Sequence, residues 1–164
     1  TELEEIYLLG DFAVNRLGQI VEEPDMLRFG DWCLQGYPFY NGSMIYHFRF
    51  SGEKKTAKLV LGRYSASCVT VQLNGGEKIH IPWRAADGRS VELQDGENRL
   101  DIEVFSSNRN LLGPLHQAYK LCSRIDWRDF RTEGSAFYSR EPVLYPYGLM
   151  DQCYLLRLEE DKEL

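Results

Sequence analysis

Apolar and polar positions alternate with period two through the middle of the chain. In Ser43–Phe50, "SMIYHFRF", Met44, Tyr46, Phe48 and Phe50 fall on one side and Ile45, His47 and Arg49 on the other. That is the spacing of a strand with one buried face. Lys58–Gly62, "KLVLG", is a short apolar run that reads as a buried strand. Val69, Val71 and Leu73 share one face of the next run. Asn74-Gly75-Gly76 then marks a hairpin, because Asn and Gly tolerate positive φ. Ile79 and Ile81 alternate on the return strand, and Val91–Leu93 adds a short one. In Asn98–Phe105, Leu100, Ile102 and Val104 point inward while Arg99, Asp101 and Glu103 point outward. No amphipathic helix interrupts these segments, so the pattern predicts an all-β chain built as an antiparallel β-sandwich. "EEIYLLGDFAV" near the start and "CYLLRLEED" near the end read as terminal strands that complete it. After Phe105 the alternation stops. Ser106–Gln117 reads as a polar loop, "DWRDF" as one helical turn, "YPYGL" as an aromatic turn and "EEDKEL" as a frayed end.

Composition narrows the function classes. The chain has 164 residues, enough for one domain with a real core, and no linker or repeat divides it. Lys plus Arg number 19 against 25 Asp plus Glu, a net charge of −6. A nucleic-acid surface needs a basic stripe, so none is expected. No apolar run is long enough to span a bilayer, and no signal-peptide pattern opens the chain. The chain starts at Thr1 rather than Met, and we expect a piece of a longer protein. Cys33, Cys68, Cys122 and Cys153 match no zinc spacing; we expect four buried, reduced thiols and a cytoplasmic setting.

Candidate chemistry is sparse. Glycoside cleavage by the usual route takes two carboxyl groups across one bond. Most acidic residues here fall on solvent faces of strands or in turns, and Asp31, the one inside an aromatic stretch, reads as a cap for a backbone N–H. No nucleophile motif, Walker loop or zinc helix motif occurs. His47 and His80 sit mid-strand, whereas His116 follows Gly113-Pro114 and borders a candidate cleft. No metal or other cofactor is expected. What remains is binding. "GDWCLQGYPFYNG", Gly30–Gly42, gathers Trp32, Tyr37, Phe39 and Tyr40 among glycines. Two readings stand: rings that plug the end of the sandwich, with Tyr37 and Tyr40 leaving an edge in solvent, or a platform that stacks on sugar faces. In the second reading Trp83 joins the rings. Asn41, Arg84, Asn108, Arg109, Asn110 and His116 supply polar partners, the 108–110 loop being exposed at a sandwich end. Arg109 has an alternative use as the ion-pair partner of Asp31 or another carboxylate.

Four stretches resemble one family in order: "GDWCLQGYPFYNGSMIYHFRF", "KLVLGRYSASCVTVQLNGGE", "IPWRAADGRSVELQDGENRLDIEVFSSNRNLLGPLH" and "YPYGL". Together they resemble the galactose-binding-like β-sandwich of family 2-related multidomain glycoside hydrolases, most closely a C-terminal accessory domain. The hairpin departs from that pattern by its second glycine, Gly76. The resemblance implies a jelly roll spanning nearly all of residues 1–164. It also implies a non-catalytic role: supporting the catalytic domain of the same parent chain, with carbohydrate as a further contact. A freestanding lectin-like module is the alternative.

Overall fold

The computed structural model describes residues 8–81, 88–118, 127–130 and 137–157. In chain order its strands are β1 (Ala13–Val14), β2 (Ile20–Val21), β3 (Ser43–Gly52), β4 (Lys55–Val60), β5 (Tyr64–Ser65), β6 (Cys68–Leu73) and β7 (Ile79–Ile81). They continue with β8 (Arg89–Leu93), β9 (Gly96–Phe105), β10 (Gly148–Leu149) and β11 (Tyr154–Arg157). One helical turn, α1 (Arg109–Leu112), and 3-10 turns at Trp32–Gln35 and Trp127–Phe130 complete the described elements. The chain is all-β, and every strand pairing is antiparallel.

A four-stranded sheet, β3-β9-β6-β7, faces a three-stranded sheet, β11-β4-β8. Strands β3 and β9 stay in register from Ser43 opposite Phe105 to Gly52 opposite Gly96. Period two then decides what is buried. Val69, Val71, Leu100, Ile102 and Val104 line the inner face of the larger sheet, and Ala57, Leu59, Val91 and Leu93 that of the smaller. Burying such side chains contributes about 1.5–3 kcal/mol each for the large ones, which is why alternation alone sets the register. Strand β4 starts at Lys55 rather than Lys58: Ala57 and Leu59 bury while Lys58 stays at the outer face, so the strand alternates rather than being buried throughout.

The corners are locked by side-chain amides. Asn98, fully buried, accepts from the Gln94 N–H (3.0 Å) and the Asn74 Nδ2 (2.9 Å), and donates to the carbonyls of Gln94 (2.9 Å) and Gly96 (3.2 Å). Asn74 holds the tip of the β6–β7 hairpin at φ 52°, a left-handed conformation Asn tolerates, and its Oδ1 accepts from the Arg99 N–H at 2.8 Å. One buried residue therefore ties the β8–β9 corner to the tip of a separate hairpin.

The outer face of the large sheet is polar. Glu103 accepts from Lys78 (2.9 Å), Ser43 (2.8 Å) and Thr70 (3.4 Å). The Lys78 and Ser43 bonds outweigh partial burial and hold its carboxyl below the ordinary value. A depressed carboxylate stabilises the fold above its unfolded pKa, and that contribution is lost as pH falls through the folded value. Glu103→Gln is therefore expected to lower Tm at pH 7, by about 1 kcal/mol in stability, and the gap to the parent should narrow as pH falls below the ordinary carboxylate value of about 4. Thermal melts across pH 3–7 check this; a gap that stays constant from pH 7 to pH 3 would refute it.

The N-terminal expectation is corrected. Among the described residues of "EEIYLLGDFAV", only Ala13 and Val14 form a strand, and they pair with Ile20 and Val21 in a separate hairpin rather than joining the sandwich. Local chemistry favours this: the Asn15 Oδ1 accepts from the N–H groups of Leu17 (2.9 Å) and Gln19 (3.0 Å), turning the chain back at once. Leu8 and Leu9 are exposed, at 67% and 89%. The other terminal strand forms as expected, β11 pairing with β4 from Tyr154 opposite Val60.

Candidate functional site

The Gly30–Gly42 stretch is a 3-10 turn docked against the "YPYGL" segment. Asp31 caps it: its Oδ1 accepts from the Cys33 N–H at 2.9 Å and also from the Tyr147 N–H at 3.2 Å. The Gly30 N–H donates to the Leu149 carbonyl (2.7 Å) and the Trp32 N–H to the Tyr147 carbonyl (2.9 Å). Gly148 makes this approach possible, since at φ 131° a Cβ would sit 2.5 Å from the Gly30 carbonyl oxygen.

Docking places the rings. Trp32 is 0% exposed, edge-on to Tyr40 at 6.0 Å and tilted against Tyr147 at 5.9 Å. Tyr37 and Tyr40 meet edge to face at 6.0 Å. Tyr40, 37% exposed, donates its hydroxyl to the Ser43 carbonyl, and the half-buried Tyr37 donates to Glu23 at 3.1 Å. Burial and the Glu23 carboxylate both push the Tyr37 phenol up. Both rings keep an edge in solvent, whereas Trp32 presents no face to a ligand.

The polar candidates behave differently from an exposed loop. Asn108 is exposed and bonds to Asn41, but Arg109–Leu112 forms a helical turn and Asn110 is 1% exposed. The Asn110 Nδ2 donates to the Tyr145 carbonyl (2.8 Å) and the Cys33 sulfur (3.3 Å), and its Oδ1 accepts from the Tyr145 N–H (2.7 Å). The physical reason is accounting of polar groups: irregular backbone buried at the sandwich end needs donors and acceptors, and Asn supplies both. Arg109 points inward too. Its Nη1 donates to the Pro114 carbonyl, and burial lowers its guanidinium against the attraction of Tyr147 and Asp129. Asp31 is occupied by backbone N–H groups. The His116 ring stacks on Tyr138 at 5.7 Å and its Nδ1 lies 2.8 Å from the Ser139 carbonyl. Trp83 and Arg84 lie outside the described residues.

The thiols divide. Cys33 is buried, and desolvation followed by the nearby Asp31 charge pushes it up to about 12. Cys153 is half-buried and also raised by desolvation. Cys68 is half-buried too, so Cys68 and Cys153 both correct the expectation of uniformly buried thiols; Cys68 sits on the outer face of β6, out of phase with Val69 and Val71. Cys122 lies outside the described residues. Among the described residues, no three His, Cys, Asp or Glu side chains gather as a metal site, and no helix is long and apolar enough to cross a membrane.

An open cleft of about 1060 Å³ lies between the β1–β2 hairpin, the 3-10 turn and residues 141–144. Asn15, Arg16, Glu22, Asp31, Gln35 and Glu141 supply its polar lining, and Phe39 is the only ring of the aromatic stretch that reaches it. Trp32, Tyr37, Tyr40, Arg109, Asn110 and His116 do not line it. Its walls come from three separate segments, and only the middle one, within Gly30–Gly42, stands out in the sequence, so the cleft itself has no sequence signal. The chain matches no protein-family model, no curated protein and no solved structure.

Proposed function

We propose that this chain is a non-catalytic, galactose-binding-like jelly-roll domain of a glycoside hydrolase. Its role is to support the catalytic domain of the parent chain. The observation that carries the reading is the use of the aromatic stretch: Trp32 is spent on closing the sandwich, with its backbone bonded to Tyr147. A sugar platform needs exposed, coplanar rings; Tyr37 and Tyr40 stand at 74° to each other. Leu8, Leu9, Leu17, Met26 and Leu34, each more than 60% exposed, give the N-terminal side apolar surface suited to packing on a neighbouring domain.

The alternative, a lectin-like module, draws on one feature, the open cleft with its amide and charged lining. Titrating the chain with mono- and oligosaccharides, read by calorimetry and tryptophan fluorescence, separates the two. We expect no saturable signal and no hydrolysis of aryl glycosides by the chain alone. The same reading frame is expected to encode a catalytic barrel with paired carboxylates. Saturable sugar binding would favour the lectin reading, and unaided hydrolysis would end both.

A further inference from the structure

The outer face of the large sheet brings a thiol and an imidazole together. Thr70 of β6 lies opposite His80 of β7, and Cys68 shares the face of Thr70 two residues earlier. Diagonal neighbours across an antiparallel pair are within reach of long side chains. The Cys68 sulfur lies 3.8 Å from the His80 Nδ1; its other polar neighbour among the described residues is the Val69 carbonyl at 3.9 Å. His80 is exposed and Cys68 half-buried, so a small molecule reaches both.

Among the described residues, the facing carboxylates of β9 are bound elsewhere. On β9, Phe105 lies directly opposite Cys68 and Glu103 opposite Thr70. The Glu103 carboxylate is taken up by Lys78, Ser43 and Thr70, and the Asp101 carboxylate by His47 and Arg99. His80 thus faces the thiol while the Glu103 and Asp101 carboxylates of β9 are engaged by other side chains. Cys33 and Cys153 are held as thiols by burial.

We propose that Cys68 and His80 form a thiol-modification site for small-molecule disulfides. His80 takes the thiol proton, and the Cys68 sulfur attacks one sulfur of the disulfide. A mixed disulfide forms, the original S–S bond breaks, and the departing thiolate receives the proton from the imidazolium. One thiol and one disulfide are consumed and one of each is produced, so no external oxidant is needed. His80 acts as a positioning and proton-accepting group, and a thiolate is the attacking species.

The test exposes the native full chain to oxidised glutathione and maps adducts by peptide mass over time, at pH 6–9. We expect the first adduct on Cys68. Cys68→Ser, with an unchanged circular dichroism spectrum, should abolish it. His80→Gln should slow it by about tenfold near neutral pH, less than a well-aligned base provides because the contact is long, with the difference shrinking toward pH 9. First modification at Cys33, Cys122 or Cys153 would overturn the proposal. So would a Cys68 rate that His80→Gln leaves unchanged across the pH range.

Discussion

Trp32→Ala is expected to lower stability by about 3–5 kcal/mol, the largest effect of any single substitution proposed for this chain. The ring is fully buried and touches Tyr40 and Tyr147, so its removal opens a cavity at the sandwich end. The cavity cannot collapse readily, because the backbone on both sides is pinned through Gly30, Asp31 and Trp32 to Tyr147 and Leu149. The indole N–H finds no acceptor among the described residues. Trp32→Phe therefore forfeits packing volume but no hydrogen bond, and should cost well under half as much. Urea unfolding of both variants checks the pair of outcomes. A stable Trp32→Ala variant that loses a ligand instead would mean that the ring serves recognition rather than the core.

Asn98→Ala should cost about 2–4 kcal/mol, because it removes all four hydrogen bonds of a buried amide at once. The Gln94 N–H and the carbonyls of Gln94 and Gly96 lose the side chain that satisfies them, and the Asn74 amide loses its acceptor. Asn98→Asp tests the cause. It keeps the accepting oxygen but replaces the donating amide with a second oxygen facing two carbonyls, and should be at least as damaging at pH 7. If Asn98→Asp were neutral, the donor half of the network would contribute nothing. Thermal and urea unfolding give the same readout for both variants.

Strands were legible where one face meets the core and the other meets water. Met44–Phe50 and Leu100–Val104 carry that contrast on every second residue. The same rule failed at Ala13–Val14, where two apolar residues belong to a local hairpin turned by Asn15. Strand β5, Tyr64–Ser65, is too short to show any period. At the candidate site, the capping role of Asp31 followed from its position before Trp32. The burial of Asn110 did not, because its partners at Cys33 and Tyr145 are distant in sequence. A polar residue surrounded by polar residues looks like surface until the fold brings a buried carbonyl to it. Asn98 is similar: it sits near the start of a strand plainly visible in the sequence, but its reach to Asn74 is a fact of tertiary structure.

The pairing of Gly30–Trp32 with Tyr147–Leu149 joins segments 116 positions apart at the Asp31–Tyr147 bond. Closing so large a loop is slow compared with forming a local hairpin such as β6–β7, whose strands are joined by residues 74–78. A nascent chain emerging from the ribosome must therefore carry Trp32 uncovered until Tyr147 has been synthesised. Premature termination anywhere before that point leaves an indole and the mouth of the core open to other chains.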